Sequence, residues 1–331
     1  MKRILYLTGL HFIVFIILSA ISISEELLEH YELDSVIDLS YGKEKNQLGY
    51  RDTSSHFSNE HDGPISFAVS PITNDVCIVD FVNQCLKIFD KDGKLTTIID
   101  VNDYFDMTGC EVIYDENGSL WVHHSYEQYV KRYSPSGRLL RTIYYDNKSY
   151  IYGYLYAVSD SNLMIGPFSA TIKSSLPSTD SYMADIAYSP ESKYGMNIGK
   201  ITGRHYKIKK PGISDNGEFT PKSLIVTLNG IKKYEINISE LSLDYQTDFL
   251  KEDLEGNSYF ENFSAYTEIR DISIWKYDIT MNLIGIIVIE PSKIKDRMSV
   301  LKDINIMPDG SIFYLLVTPE NVKVYKWILK K

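Results

Sequence analysis

The sequence predicts an all-β fold, a six-bladed β-propeller whose ring is closed by an N-terminal strand completing the last blade. Three observations carry this. Past the first 33 residues, apolar–polar alternation of period two replaces helical periodicity throughout. A pair of hairpin units recurs along the chain at a spacing of ~45 residues, the length of one four-stranded propeller blade. The C-terminal copy of the unit stops one strand short, and a segment near the N-terminus has the pattern of the missing strand.

Taken in order, Lys2 and Arg3 precede a mostly apolar run from Ile4 to Leu18, and Ser22-Ile23-Ser24 offers a small-x-small cleavage site. Residues 1–24 therefore read as a signal peptide, with an uncleaved membrane anchor as the alternative, because Ile4–Ile23 is also long enough to span a bilayer. Either reading exports the remainder to a secreted, periplasmic or cell-surface location. Glu25–Leu33 is the one stretch with a short-helix pattern. Residues 32–331 read as a single propeller domain.

The repeats begin with FAVSPITNDVCIVD (Phe67–Asp80), a first hairpin, followed by LKIFDKDGKLTTII (Leu86–Ile99), a second. VIYDENGSLWVHH (Val112–His124) and VKRYSPSGRLLRTI (Val130–Ile143) repeat the pair, with Gly93 and Gly137 44 residues apart. FLKEDLEGNSYF (Phe249–Phe260) and IWKYDITMNLIGII (Ile274–Ile287) repeat it again, and INIMPDGSIFYLL (Ile304–Leu316) with VKVYKW (Val322–Trp327) once more. Between Gly118 and Gly256 lie 138 residues, room for three blades. Within them YLYAVSDSNLMIGPF (Tyr154–Phe168) reads as the first hairpin of blade three, and SLIVTLNGIKKYEINI (Ser223–Ile238) as the second hairpin of blade four. Ser169–Ser181, rich in Ser and Thr, reads as an inserted loop. Glu32–Tyr41 is the strand that completes blade six, which leaves no large unpaired edge.

Asp90-Lys91-Asp92-Gly93 has the look of a calcium loop, but the equivalent positions in the other copies lose the acids and keep the turn formers. The position where an EF-hand would need its distal glutamate is Val101. The stretch is thus a hairpin turn.

Gly63–Leu95, GPISFAVSP…DVCIVDFVNQCLKIFDKDGKL, resembles the NHL-type six-bladed β-propeller family, with Asp80 and Asn83 at that family's turn positions. The likeness is good in blade one and partial in blades two, five and six. It implies a disc that binds other molecules on one face and implies no single reaction. RNA binding by some relatives depends on a basic face. This chain has a net charge of −10, which becomes −12 without Lys2 and Arg3, and that sets nucleic acid aside as a partner.

Propeller sites use the face built from loops joining second to third strands and from loops between blades. Here that face collects His56, His61, Asp80, Asn83, His123, Tyr126 and Glu127 as ligand-binding candidates, with Glu60, Asp62 and His124 nearby. No catalytic residue is assigned: there is no G-x-S-x-G elbow, P-loop or dinucleotide fingerprint. No cofactor is expected, a divalent metal at the channel mouth being the alternative, held by His56, His61 and a histidine of the 123–124 pair with Asp80 or Glu127. Adjacent strand residues point to opposite faces, so only one of His123 and His124 faces any one site. The lactonase and lyase relatives need ligands converging from several blades, and blades three and four offer none recognisable. The expected function is therefore a binding module for a protein, peptide or glycan, with a metal-dependent hydrolase or lyase as the alternative.

Cys77, Cys85 and Cys110 read as small core hydrophobes, with a Cys77–Cys85 bridge as the alternative. Tyr150, Tyr152, Tyr154 and Tyr156 alternate along one strand face, suited to inter-blade packing ahead of a sugar-stacking platform. Asn-x-Ser sequons stand at Asn117, Asn147, Asn237 and Asn262.

Overall fold

A computed structural model describes residues 28–52, 61–101, 110–124, 129–145, 201–209, 222–238, 245–264, 272–289 and 303–330, with short strands between 155–188 and 212–220. Every regular element among these residues is a strand, and none of their elements is a helix long and apolar enough to cross a membrane. The leader at residues 1–24 lies outside the described residues.

The chain opens with β1 (Tyr31–Ser40) and the short pair β2 (Arg51–Asp52) and β3 (His61–Asp62). Sheet I is β4 (Ser66–Val69), β5 (Val76–Asp80), β6 (Cys85–Phe89) and β7 (Leu95–Asp100). Sheet II is β8 (Cys110–Tyr114), β9 (Leu120–His124), β10 (Tyr129–Tyr133) and β11 (Leu139–Tyr145). Sheet III contains β12 (Leu155–Val158), β13 (Asn162–Ile165) and β14 (Phe168–Thr171); β15 (Tyr182–Ala184) joins β11 in parallel, and β16 (Ile186–Tyr188) completes sheet III. Sheet IV is β17 (His205–Lys209), then, after the ribbon β18 (Gly212–Ile213) and β19 (Phe219–Thr220), β20 (Ser223–Leu228) and β21 (Ile231–Asn237). Sheet V is β22 (Tyr245–Glu252), β23 (Ser258–Ser264), β24 (Ile272–Tyr277) and β25 (Leu283–Ile289). Sheet VI is β26 (Ile304–Ile306), β27 (Ile312–Val317) and β28 (Asn321–Leu329), with β1 antiparallel on the outer edge of β28.

Burial explains why the central strands read as continuous apolar runs. β5, β6, β9 and β27 are buried along their whole length, because a sheet between two neighbours, as sheets I and VI are, is covered on both faces. Ile78, Phe67 and Val69 of sheet I pack with Phe313, Leu315 and Val324 of sheet VI. Cys77, Val79 and Leu86 on the other face meet Val112, Leu120 and Val122 of sheet II. Sheet V packs likewise against sheet VI through Ile274, Ile287, Ile306 and Tyr314, and against sheet IV through Phe260, Tyr277, Tyr206 and Val226. First strands touch one another: β4 with β8, β8 with β12, β22 with β26. The outer strand β21 is largely exposed, and its Lys232 and Lys233 keep that edge from pairing with another chain.

One turn closes the hairpins of different sheets. Asp90 accepts the backbone N–H groups of Asp92 and Lys94 at 3.0 and 2.9 Å, and Gly93 adopts φ +79°. Asp115 does the same for Asn117 and Ser119, Asp253 for Glu255 and Asn257, and Asp278 for Thr280 and Asn282. The carboxylate that resembled a calcium ligand in Asp90 is therefore spent on its own turn, which is the hairpin the repeat predicts.

In the first hairpins of sheets II and V the same carboxylate also reaches inward. Asp115 Oδ2 accepts from Trp121 Nε1 at 2.9 Å and Arg132 at 3.0 Å, and the guanidinium lies 5.1 Å from the Trp121 ring centroid. Asp253 Oδ2 accepts from Tyr259 at 3.0 Å, with Lys276 4.0 Å away and 5.7 Å from the Tyr259 ring. Sheet VI keeps the ring and cation, Lys326 lying 5.8 Å from Phe313, while its acid is Asp34 of β1, at 3.1 Å. Aromatic and cation face each other across paired strands in all three, so strand register places the contact.

Two strand assignments differ from expectation, the cysteines keep their reading as core hydrophobes, and one sequon is buried. Tyr31–Leu33 belongs to β1, not to a helix, because pairing with β28 outweighs a local helical pattern. Ser169–Thr171 is strand, not loop: β14 pairs antiparallel with β13, and backbone pairing tolerates the Ser and Thr that suggested a loop. Residues 172–181 lie outside the described residues. Cys77 and Cys85 are both free and buried, since register sets Cys77 against Ile88 and Cys85 against Asp80. That separates them by three residues, ~10 Å along the strand, too far to bridge. Asn262 is buried and so is no glycan acceptor in the folded chain, whereas Asn117 is in a turn and Asn237 is exposed. Asn147 and the side chains of the Tyr150–Tyr156 alternation lie outside the described residues.

Candidate functional site

The two ends of the sheets differ. At one end lie the Asx turns just described, and these turns contact each other from sheet to sheet: Leu254 N–H donates to Pro308 O at 3.1 Å, and a Cβ on Gly118 would lie 3.2 Å from Ile72. At the other end lie the connections from second to third strands and from sheet to sheet. Buried polar side chains lie at both ends, and those of the second end include Asp80, Glu111, His123, His124, Lys222, Thr247 and Asn262.

Asp80 closes β5 there and is fully buried. Its oxygens accept from Gly49 N–H at 3.0 and 3.2 Å, Asn83 N–H at 3.3 Å and Asn83 Nδ2 at 2.7 Å, and they pair with Lys87 Nζ at 2.8 Å. Lys87 also donates to Gln47 O. A carboxylate so completely occupied has one evident use: it ties the 42–50 connection and the 81–84 turn onto sheet I. The connection approaches so closely that a Cβ on Gly49 would stand 2.6 Å from Val82 Cβ. Leu48 plugs the core between sheets VI and I, and Tyr41 donates to Thr318 O at 2.8 Å while stacking near Tyr50, centroids 4.9 Å apart. Asp80 and Asn83 are thus brought together, with Asp80 orienting Asn83, whose side chain is at the surface.

Asp62 is buried beside this connection and pairs with Arg51 at 3.5 Å. His61 is placed by its pairing opposite Asp52. His56, Glu60, Tyr126 and Glu127 lie outside the described residues.

His123 and His124 end β9 at the same level and point to opposite faces, as strand geometry requires. Both are buried. His124 stacks near Tyr129, 4.5 Å between centroids, and Tyr129 meets Tyr144 edge-on at 5.8 Å. His123 lies across from Glu111 of the first strand β8. Burial, and then the charge of His124, push the His123 imidazole down to about 3. The folded chain therefore holds it neutral, whereas the unfolded chain takes up a proton near its ordinary value of about 6.5. The stability His123 contributes is whole above about pH 6.5 and is lost as pH falls toward 3, at about 1.4 kcal/mol per pH unit. His123→Gln is expected to remove that slope from urea-melt free energies between pH 6.5 and 4. An unchanged slope would assign the acid sensitivity elsewhere. Neighbouring Cys110 is held well above its ordinary value by burial, so its thiol is not a nucleophile.

A third polar group lies between sheets IV and V. Lys222 Nζ donates to Thr247 Oγ1 at 2.7 Å, and Thr247 donates to Asn262 Oδ1 at 2.6 Å; all three residues are buried. Sequence reasoning missed Lys222, Thr247, Glu111 and Lys87, and met Asn262 only as a sequon. Single polar residues in alternating strands look solvent-facing until a neighbouring sheet covers them. Glu252, also missed, is a tie like Asp80: it accepts from Ile201 and Thr202 N–H at 2.9 Å each and from Tyr206 at 2.6 Å.

Among the described residues no three His, Cys, Asp or Glu side chains are grouped as metal ligands.

No protein-family model matches the chain, and no curated protein matches its sequence. Among solved structures it is similar to a DUF4221-family member from Bacteroides vulgatus, at 12% identity over 92% of this chain and 99% of that one, with a TM-score of 0.52. Virginiamycin B lyase from Staphylococcus aureus is 13% identical over 91% of this chain and 100% of its own, with a TM-score of 0.46. The Dos1 propeller is 10% identical over 84% of this chain and 69% of its own, with a TM-score of 0.36. At these identities the likeness is one of fold alone. It joins a set of antiparallel sheets to β-propeller neighbours.

Proposed function

We propose that the chain is an exported six-bladed β-propeller of NHL type, secreted, periplasmic or at the cell surface. Its loop-bearing face binds a protein, peptide or glycan. Sheets IV, V, VI, I and II pack in that order and β8 of sheet II touches β12 of sheet III, with β1 completing sheet VI beside sheet I, which supports the reading of residues 32–331 as a closed ring. The apolar run at Ile4–Ile23 supports export.

The observation that carries the choice of face is the asymmetry between the two ends. At the turn end the carboxylates of Asp90, Asp115, Asp253 and Asp278 accept from their own hairpins, and Glu252 ties residues 201–202 and Tyr206 to sheet V. The loop end holds Asp80 with Asn83, Glu111 opposite His123, and the Lys222–Thr247–Asn262 chain, all near the loop-end termini of their strands. Asn83, His56, His61, Tyr126 and Glu127 are the contact residues of this reading, with His123 and Asp80 buried behind the face and Asp80 positioning Asn83.

Immobilised full-length protein screened against peptide and glycan libraries is expected to retain a ligand. Asn83→Arg and Tyr126→Arg should weaken that retention about ten-fold, the loss expected from a hot-spot contact. Lys91→Glu on the turn end should leave it unchanged. Loss of binding through the turn-end variant alone would overturn the choice of face. A stoichiometric divalent metal in the purified protein, lost on His61→Ala or His123→Ala, would replace binding with the metal-dependent hydrolase or lyase.

A further inference from the structure

We propose that Lys222, Thr247 and Asn262 form a subsite for a carboxylate group of the ligand, at the seam between sheets IV and V. This rests on the loop end being the binding face. The three donors form a directed chain: the ammonium donates to the hydroxyl, and the hydroxyl donates to the amide oxygen. Each bond polarises the next, so the amide nitrogen at the end of the chain is a strengthened donor.

That nitrogen, Asn262 Nδ2, is buried and has no hydrogen-bond partner in the structure. Buried polar groups without partners are few in native proteins, because an unpaired buried donor is destabilising. The group that completes Asn262 must be an acceptor, and the nearby charge says which kind. Lys222 is buried, and its ammonium sits below its ordinary value, desolvation outweighing the opposing pull of Asp248. An incoming carboxylate supplies the acceptor to Asn262 Nδ2 and a second counter-charge to Lys222. A cation is excluded, since the chain presents donors. Glu261, next to Asn262 in β23, points to the opposite face of the sheet, so it does not contest the site.

The carboxylate could belong to an acidic peptide or to a uronic acid. The full chain, labelled with 15N at asparagine side chains, is titrated with sodium N-acetylglutamate and sodium galacturonate against sodium chloride at matched ionic strength. One amide pair, the one missing from the Asn262→Leu spectrum, is expected to shift saturably with at least one of the acids. The acid that binds more tightly identifies the source. Lys222→Met is expected to bind about ten-fold more weakly or worse, the loss given by one charge-assisted hydrogen bond. Should that variant fail to fold, the wild-type titration decides by itself. No saturable shift with either acid would leave Asn262 to a trapped water and overturn the subsite, and so would equal affinity in Lys222→Met. Retention of a ligand that is sensitive to Asn83→Arg but not displaced by either acid would overturn the subsite while leaving the binding face intact.

Discussion

Asp80→Ala is expected to lower the free energy of unfolding by about 3–5 kcal/mol, the cost of stranding one member of a buried ion pair. Lys87 would keep its charge with its ammonium almost fully enclosed, only 4% of the side chain being accessible. Gly49 and Asn83 would lose the acceptor that fixes both connections. Most of the loss lies in the stranded charge rather than in the attraction itself. The double variant Asp80→Ala with Lys87→Met should therefore recover much of the stability in urea melts. A loss below about 1 kcal/mol, the range of an exposed pair, would show that water reaches the site. The double variant should still weaken ligand retention, because the 81–84 turn that carries Asn83 is no longer tied.

The second large effect belongs to β1. Ile37→Ala and Leu39→Ala are each expected to cost about 2–5 kcal/mol, and together they approach the whole stability of an ordinary domain, about 5–15 kcal/mol. Both side chains are buried and lie in the core shared by sheets VI and I. Ile37 also touches the outer turn of sheet I, its Cγ2 standing 2.9 Å from where a Cβ on Gly93 would be. These residues therefore join two sheets as well as completing one. Leu33→Ala, on the same strand but 51% exposed, should change stability by no more than about 0.5 kcal/mol. Thermal and urea melts of the three variants separate the readings. If Leu39→Ala were as mild as Leu33→Ala, β1 would be an ornament on β28 and not part of the seam.

Several elements were legible because their signal is local. The hairpins at Phe67–Asp80, Val112–His124 and Ile304–Leu316 announce themselves through alternation and a turn signal, Asn74-Asp75 in the first and Asn117-Gly118 and Asp309-Gly310 in the others, and the structure forms each of them. Asp278-Ile279-Thr280-Met281 makes the same turn with Met281 at φ +67° in place of glycine. It was found only by its flanks. β17 and β15 were missed, since neither has a turn signal or a matching copy. The pairing of β1 with β28 was legible from a counting argument, one strand too few at one end and one too many at the other.

The candidate site was legible in location and not in membership. Asp80 and Asn83 stood out through a turn pattern and are bonded to each other, yet Asp80 proves to be a tie. Lys222, Thr247 and Asn262 are 15 and 25 residues apart or more in sequence from their partners, and no spacing rule joins them.

What the sequence determined by itself was the repeating unit, because turn chemistry and strand alternation act between residues close along the chain. What only the tertiary structure decided was which polar residues are buried, and so which carry an energetic cost. Burial is conferred by the neighbouring sheet, and a residue's own alternation is the same whether the face it points to meets water or Lys222.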